Sequence, residues 1–353
     1  MKVVSVVGAR PQFVKLSPME RAFDSVGATH LTIHTGQHYD HAMSDSFFET
    51  LGIRPPAWNL GVGSGNHGAQ TGAMISKIEE VLTPEEPCCV VVYGDTNSTL
   101  AAAVAAVKIH IPVAHLEAGL RSFNRRMPEE HNRVLTDHAS DLLLAPTEIA
   151  AGHLAAEGLA DRTVVVGDVM VDVLLEAAES AAETELEFPG VERGEAFVLA
   201  TIHRAENTDD PDRLESIMAA LSGLPLPVVL PVHPRVRGLA ADRGLALDAG
   251  ALVPVDPLDY GLMIAAVQRS VAVATDSGGL QKEAFVLGTP TTTVRTETEW
   301  VETLADGWNV LSPDVNDLAA NVMRPRPTAT RATPFGTGHA AATAVAAVME
   351  RYS

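Results

Sequence analysis

Cysteine, lysine and long apolar runs are scarce in this chain, and each scarcity excludes something. Of 353 residues only two are cysteine, the neighbours Cys88 and Cys89, which rules out a disulfide framework and suits a reducing, intracellular compartment. Lysine supplies five of the 25 cations (Lys2, Lys15, Lys77, Lys108 and Lys282), and 45 carboxylates bring the formal charge to −20. No basic arm or stripe is present to wrap a nucleic acid polymer or to dock on an anionic membrane. An acidic chain in which arginine far outnumbers lysine suits a halophilic cytoplasm, where carboxylates keep the surface soluble and salt screens their repulsion. No run approaches the roughly 18 apolar residues of a membrane span, and the opening MKVVSVVG is too short for the apolar region of a secretion signal. A soluble, cytoplasmic protein is expected.

A hydrophobic content of 46% over this length allows about two domains of roughly 150 residues each. Short β-branched runs predict strands at 3–7, 31–34, 89–93, 113–116, 141–145 and 164–166, and again at 197–201, 228–232, 252–255, 271–274 and 291–294. Longer segments of helical period separate them, which is the pattern of an α/β protein with parallel sheets. The Ala/Glu-rich stretch 173–195, closing on Phe188-Pro189-Gly190, reads as the inter-domain connection. The expectation is an N-terminal Rossmann-like domain over 1–172, completed by a terminal helix at 338–353, and a C-terminal one over 173–337. Two doubly wound domains would face each other across a cleft.

In such sheets ligands bind beyond the carboxyl ends of the strands, and here those ends are polar. Asp276-Ser277-Gly278-Gly279 follows a strand and precedes a helical run at 280–287, so backbone N–H groups and the helix dipole there suit a phosphate. The plain alternative is a glycine-rich turn without ligand. Glu283, one turn on, suits the two hydroxyls of a ribose. There is no Walker A pattern, and the Gly63-to-Gly68 spacing lacks the strand that a dinucleotide fingerprint needs; a nucleotide sugar is favoured over ATP or NAD. Asp95 ends an apolar strand just before a helix whose cap is expected at Asn97 or Ser98. Glu117 ends another strand with no capping rationale. Glu129 and Glu130 follow Pro128 at a helix start, where acids favour the dipole. Three acids converging on one crevice suit stepwise general acid–base chemistry. His34, His38 and His41 lack metal-site company, so no metal is expected. His203-Arg204 with Glu206, at the end of a strand in the second half, reads as a cationic site facing a diphosphate or a sugar. No GxSxG or other nucleophile setting is present, which disfavours covalent catalysis.

Taken in order, Gly8-Ala9-Arg10-Pro11-Gln12-Phe13-Val14-Lys15, Thr35-Gly36-Gln37-His38, Gly94-Asp95-Thr96-Asn97-Ser98-Thr99-Leu100, His115-Leu116-Glu117-Ala118-Gly119-Leu120-Arg121, Pro128-Glu129-Glu130-His131-Asn132-Arg133, His203-Arg204-Ala205-Glu206-Asn207, Pro231-Val232-His233 and Asp276-Ser277-Gly278-Gly279-Leu280-Gln281 resemble the non-hydrolysing UDP-N-acetylglucosamine 2-epimerases. The resemblance runs to about residue 312. It implies a GT-B type fold, a homodimer, and interconversion of UDP-GlcNAc and UDP-ManNAc by elimination of UDP and its re-addition through 2-acetamidoglucal, with no cofactor. It carries Asp95, Glu117, Glu129 and His203 over as catalytic residues. It carries Arg10, Lys15, His233, Ser277, Gly278, Gly279 and Glu283 over to UDP binding.

Many bacterial members bind a second UDP-GlcNAc as an activator. Gln37, His38 and Glu206 are the candidates for that role here, while Asp40 stands where a glutamine is common and the segment 60–65 differs from those members. Thr298-Glu299-Trp300-Val301-Glu302 replaces the usual Thr-Glu-Arg-Pro-Glu, losing a cation. The stretch 122–127 is closer to the branch acting on UDP-2,3-diacetamido-glucuronic acid, so that substrate stays open. A GT-B glycosyltransferase and a non-catalytic nucleotide-sugar sensor are the readings from other classes. The first needs an acceptor and leaves the C-2 hydrogen untouched, and the second has no use for three acids.

Overall fold

The computed structural model describes residues 1–37 and 52–353, so His38, Asp40 and His41 lie outside the described residues. The chain divides into two compact units, one of residues 1–173 with 334–353 and the other of residues 174–333.

The first unit holds a seven-stranded sheet of β1 (Lys2–Val7), β2 (Thr29–His34), β3 (Trp58–Asn59), β4 (Cys89–Tyr93), β5 (Val113–Leu116), β6 (Leu142–Ala145) and β7 (Thr163–Val165). Their order across the sheet is 3-2-1-4-5-6-7 and every pairing is parallel. Helices cover both faces, which is why β4 reads as an unbroken apolar run rather than an alternating one: all five of its residues are fully buried. One face packs Val3, Val7, Phe13, Leu16 and Val91 with Ala344, Val345 and Val348 of the terminal helix Ala340–Tyr352. The other packs Val4, Val6, Val90 and Val92 against Met74, Ile78 and the alanines of the helix Asn97–Lys108. Each Val or Leu so buried contributes about 1.5–3 kcal/mol.

The second unit repeats the plan with six strands, β8 (Val198–Thr201), β9 (Val228–Pro231), β10 (Leu252–Val255), β11 (Ala272–Thr275), β12 (Thr291–Thr293) and β13 (Asn309–Leu311), ordered 10-9-8-11-12-13 and all parallel. In each unit the strand order reverses at one place, between β1 and β4 and between β8 and β11. That switch point opens a crevice beyond the carboxyl ends of the strands.

Three local expectations need correcting. The helix Asn97–Lys108 is capped by Thr96, whose side chain accepts from Thr99 N while the Thr99 hydroxyl answers the cap, and not by Asn97 or Ser98. The helix expected at 280–287 begins at Gly278 with Ser277 as its cap. The strands β3 and β13 were not expected: they are two- and three-residue edge strands, too short to show a period.

Candidate active site

In the first unit the switch point gathers acids and cations. Beyond β1, Gly8 and Ala9 donate their N–H groups to Gln12 Oε1 at 2.7 and 3.0 Å, and Gln12 Nε2 donates to the Tyr93 carbonyl at 2.7 Å. One glutamine thus fastens the turns after β1 and β4 to each other. Gly8 has to be glycine, since a Cβ there would collide with the buried hydroxyls of Thr35 and Ser98. Arg10 is exposed at the first residue of the helix Arg10–Ser25. Lys15, on the same helix and 8% exposed, directs Nζ into an ion pair with the Glu117 carboxylate. Burial alone would push the Lys15 ammonium down, but Glu117, with Asp168 and Asp95 behind it, outweighs burial and raises it above the ordinary lysine value.

Asp95 stands one residue past the Gly94 turn at the end of β4. Its carboxylate receives Arg133 Nη2 at 2.5 Å and Nε at 3.2 Å, and Asn132 Nδ2 donates to its carbonyl at 2.9 Å. Arg133 also donates Nη1 to Glu130 at 2.8 Å. Glu130 is buried and accepts from Ser122 N, Ser122 Oγ and Phe123 N, each at 2.9 Å. Burial would raise that carboxyl, yet these hydrogen bonds and Arg133 hold it below the usual glutamate value. The two adjacent glutamates therefore separate in role: Glu130 fixes the 122–123 loop, while Glu129 is exposed in the first turn of the helix Pro128–Ala139. The Asp95 and Glu117 carboxylates both act on the Lys15 ammonium, while Glu129 faces solvent. Gln37 accepts from Ser98 N and Ser98 Oγ at 3.2 and 2.6 Å, which ties it to the helix after β4.

In the second unit Asp276, fully buried after β11, organises the turn after β8. Its carboxylate accepts from His203 N at 3.0 Å, Arg204 N at 2.9 Å and Asn207 Nδ2 at 3.0 Å, and lies 3.2 Å from His203 Nδ1. That contact makes Nδ1 the donor and turns Nε2 away from the carboxylate. His233, the cap residue of the helix Pro234–Arg243, stacks on His203 with ring centroids 5.7 Å apart. Ser277 caps the helix Gly278–Leu287 and leaves the N–H groups of Gly278 and Gly279 at its mouth. The glycines differ: a Cβ on Gly278 would run into the Glu299 carboxylate, whereas a Cβ on Gly279 would come no nearer than 4.0 Å to Ser277 Oγ. Among the described residues nothing crowds a side chain at 279, which leaves the space beside its backbone open. Glu283 accepts from Tyr260 Oη at 3.2 Å. Glu206 is paired with Arg295 at 3.1 Å, and Arg295 also holds Glu299 at 2.8 Å.

Arg133, Arg295 and Tyr260 did not figure among the site residues read from sequence, and Glu130 was read there only beside Glu129 as an acid of a helix's first turn. Only Arg133 carried a signal, being the cation five residues past a proline that starts a helix in a carboxylate-rich segment. Among the described residues no group of three or more His, Cys, Asp and Glu is arranged to hold a metal ion, and no helix is long and apolar enough to cross a membrane.

Two Rossmann-like units, each with its polar groups beyond the carboxyl ends of a parallel sheet, define an α/β protein of GT-B type. Residues 22–349 match the UDP-N-acetylglucosamine 2-epimerase family. The chain is 49% identical over 331 residues to the UDP-2,3-diacetamido-2,3-dideoxy-D-glucuronate 2-epimerase of Pseudomonas aeruginosa, covering 92% of each. It is 41% identical to the UDP-N-acetylglucosamine 2-epimerase of Methanocaldococcus jannaschii, covering 89% of each. A crystal structure of the Methanocaldococcus jannaschii enzyme in complex with UDP-GlcNAc and UDP matches with a TM-score of 0.80 at 38% identity, over 99% of this chain and 100% of that one. The chain belongs to the UDP-N-acetylglucosamine 2-epimerase family and is an isomerase.

Proposed function

We propose that the protein interconverts UDP-GlcNAc and UDP-ManNAc, the first unit supplying the proton-transfer groups and the second the contacts to UDP. A base takes the C-2 proton, the electron pair forms the C-1–C-2 double bond, and the C-1–O bond breaks with UDP leaving as the anion. Re-addition of the UDP oxygen to C-1 with protonation of the other face of C-2 gives the epimer. The observation that carries the reading is the pair of ion-paired carboxylates, Asp95 on Arg133 and Glu117 against Lys15, at the ends of neighbouring strands. Carboxylates so placed act as proton acceptors in alternate directions, and Glu129 is the third candidate. The cationic turn of His203, Arg204 and His233, with the open helix mouth at Ser277–Gly279, stabilises the departing diphosphate, assisted by Arg10; Glu283 takes the ribose. Because the leaving group travels with the substrate, the reaction calls for no cofactor.

A second substrate is favoured by a specific observation. The relative of known substrate with 49% identity acts on UDP-2,3-diacetamido-2,3-dideoxy-D-glucuronate, so both UDP-sugars belong in the assay. We place the protein in the cytoplasm as a homodimer, which sedimentation at high salt tests. The deciding experiment is incubation with each UDP-sugar in deuterated water at high salt, read by NMR. Epimer formation with deuterium at C-2 is expected for one of them. Neither product nor exchange from either sugar would overturn the reaction, and transfer to an added acceptor with C-2 untouched would point to a glycosyltransferase.

A further inference from the structure

Behind the Asp95 and Glu117 turns lies a histidine that the reaction above does not use. His115, on β5, is completely buried. Its Nε2 lies 2.7 Å from the Gly94 carbonyl and its Nδ1 lies 2.7 Å from Asp137 Oδ1. A carbonyl carries no proton, so Nε2 must donate. The other oxygen of Asp137 accepts from Arg121 Nη1 at 2.7 Å and from Gly119 N at 3.2 Å. Burial would raise the Asp137 carboxyl, but the His115 ring and the Arg121 guanidinium hold it below the usual aspartate value. An ionised carboxylate only accepts, so Nδ1 must donate as well.

The surrounding charges agree. Arg121, its side chain 1% exposed, meets Glu157 through two parallel bonds of 2.7 and 2.8 Å, and His138 touches the same Glu157 from the surface at 3.0 Å. With a charged His115 the chain of groups inward from Glu157 is carboxylate, guanidinium, carboxylate, imidazolium, which sums to zero.

We propose that His115 is doubly protonated and is a positioning residue for the two candidate acid–base carboxylates. Its Nε2–H grips the carbonyl one residue before Asp95. Through Asp137 it holds the N–H of Gly119, two residues beyond Glu117. Glu117 itself sits in left-handed backbone, φ +70°, a conformation that persists only where the surroundings enforce it. The Gly94 turn also passes close to that same side chain: a Cβ there would lie 3.1 Å from Glu117 Oε2. One buried ion pair therefore clamps both turns against each other, and its charge-assisted bonds are the strong kind.

The proposal rests on the 2-epimerase reading for its kinetic half and on the structure alone for its protonation half, so the two are tested separately. In the full-length protein labelled with 15N-histidine, both ring nitrogens of His115, identified by the signals missing from His115→Gln, should carry protons at neutral pH. One unprotonated nitrogen overturns the assignment. In the C-2 exchange assay His115→Phe, which can grip neither turn, should lose about 100-fold in kcat. His115→Gln, which keeps an N–H aimed at Gly94, should lose roughly 10-fold, with UDP affinity in both variants within about 2-fold of the parent. Wild-type kcat in both variants, or equal losses in kcat and UDP affinity, overturns the positioning role. If His115→Phe fails to fold, the Gln variant and the nitrogen spectrum decide. A parent enzyme without exchange on either UDP-sugar overturns the reaction reading and the kinetic half with it, while the spectrum still judges the imidazolium.

Discussion

Replacing Lys15 by methionine decides what its ammonium is for. The Lys15 and Glu117 side chains are only 10% and 16% exposed. At a charge separation of about 3 Å and an effective dielectric of about 20, their attraction is about 5 kcal/mol before desolvation is charged against it. Removing one partner of a buried pair costs about 3–5 kcal/mol, because the remaining charge is stranded. Glu117 keeps some access to water, so the lower end, about 3 kcal/mol, is expected for Lys15→Met from urea unfolding at neutral pH. Glu117→Gln should cost a similar amount by stranding the ammonium. The double variant strands nothing and should cost less than the sum of the singles, with a coupling energy of about 2 kcal/mol or more. The sign of the pH dependence follows from the raised Lys15 value: the pair's contribution is complete below the ordinary lysine value of 10.5 and is lost as pH rises through the higher folded one. UDP affinity, read by calorimetry, should change less than about 3-fold, which is under 1 kcal/mol. Additive single and double losses, or an unchanged urea midpoint for Lys15→Met, would refute this reasoning. A large fall in UDP affinity at unchanged stability would hand the lysine back to the diphosphate.

The remaining predictions concern other parts of the chain. His30 is stacked on Phe23, bonded through Nε2 to Ser5 Oγ, and buried with Nδ1 unpartnered among the described residues; burial, then Arg54, pushes it down to about 4. The unfolded chain thus takes up the proton first, so stability should be full above about pH 6.5 and fall by about 3 kcal/mol as pH drops to about 4. His30→Phe should remove that part of the slope in melts across the range, and an unaltered slope would contradict the burial argument. Asp276→Asn puts a donor where His203 N, Arg204 N and Asn207 already donate. It should cost about 2–3 kcal/mol and weaken UDP binding at least about 10-fold, and tight binding by the variant would mean that the turn holds its shape unaided. Asp95→Asn should abolish C-2 exchange while UDP affinity stays within about 3-fold; residual exchange at the parent rate would remove Asp95 from the chemistry.

Most of the architecture was legible because its determinants are local. A run such as Cys89–Tyr93, apolar at every position and ended by Gly94, is a covered parallel strand wherever it occurs. Edge strands β3 and β13 escaped because two or three residues carry no period. The Thr96 cap escaped because a neighbouring Asn and Ser are equally good caps on paper, and only the reciprocal Thr99 hydroxyl selects between them. Within the site the residue types were legible and the partners were not. Pro128-Glu129-Glu130 offers two glutamates of equal chemistry, and only burial against Ser122 and Phe123 shows that Glu130 is committed to the loop while Glu129 stays exposed.

By itself the sequence determined the class, because ordered polar clusters at strand ends mark a nucleotide-sugar enzyme. Tertiary structure decided which charges meet. Lys15 and Glu117 are separated by 102 residues, and His115 reaches Asp137 across 22. No local pattern encodes such pairs, because their strength comes from burial that the whole sheet and its covering helices create.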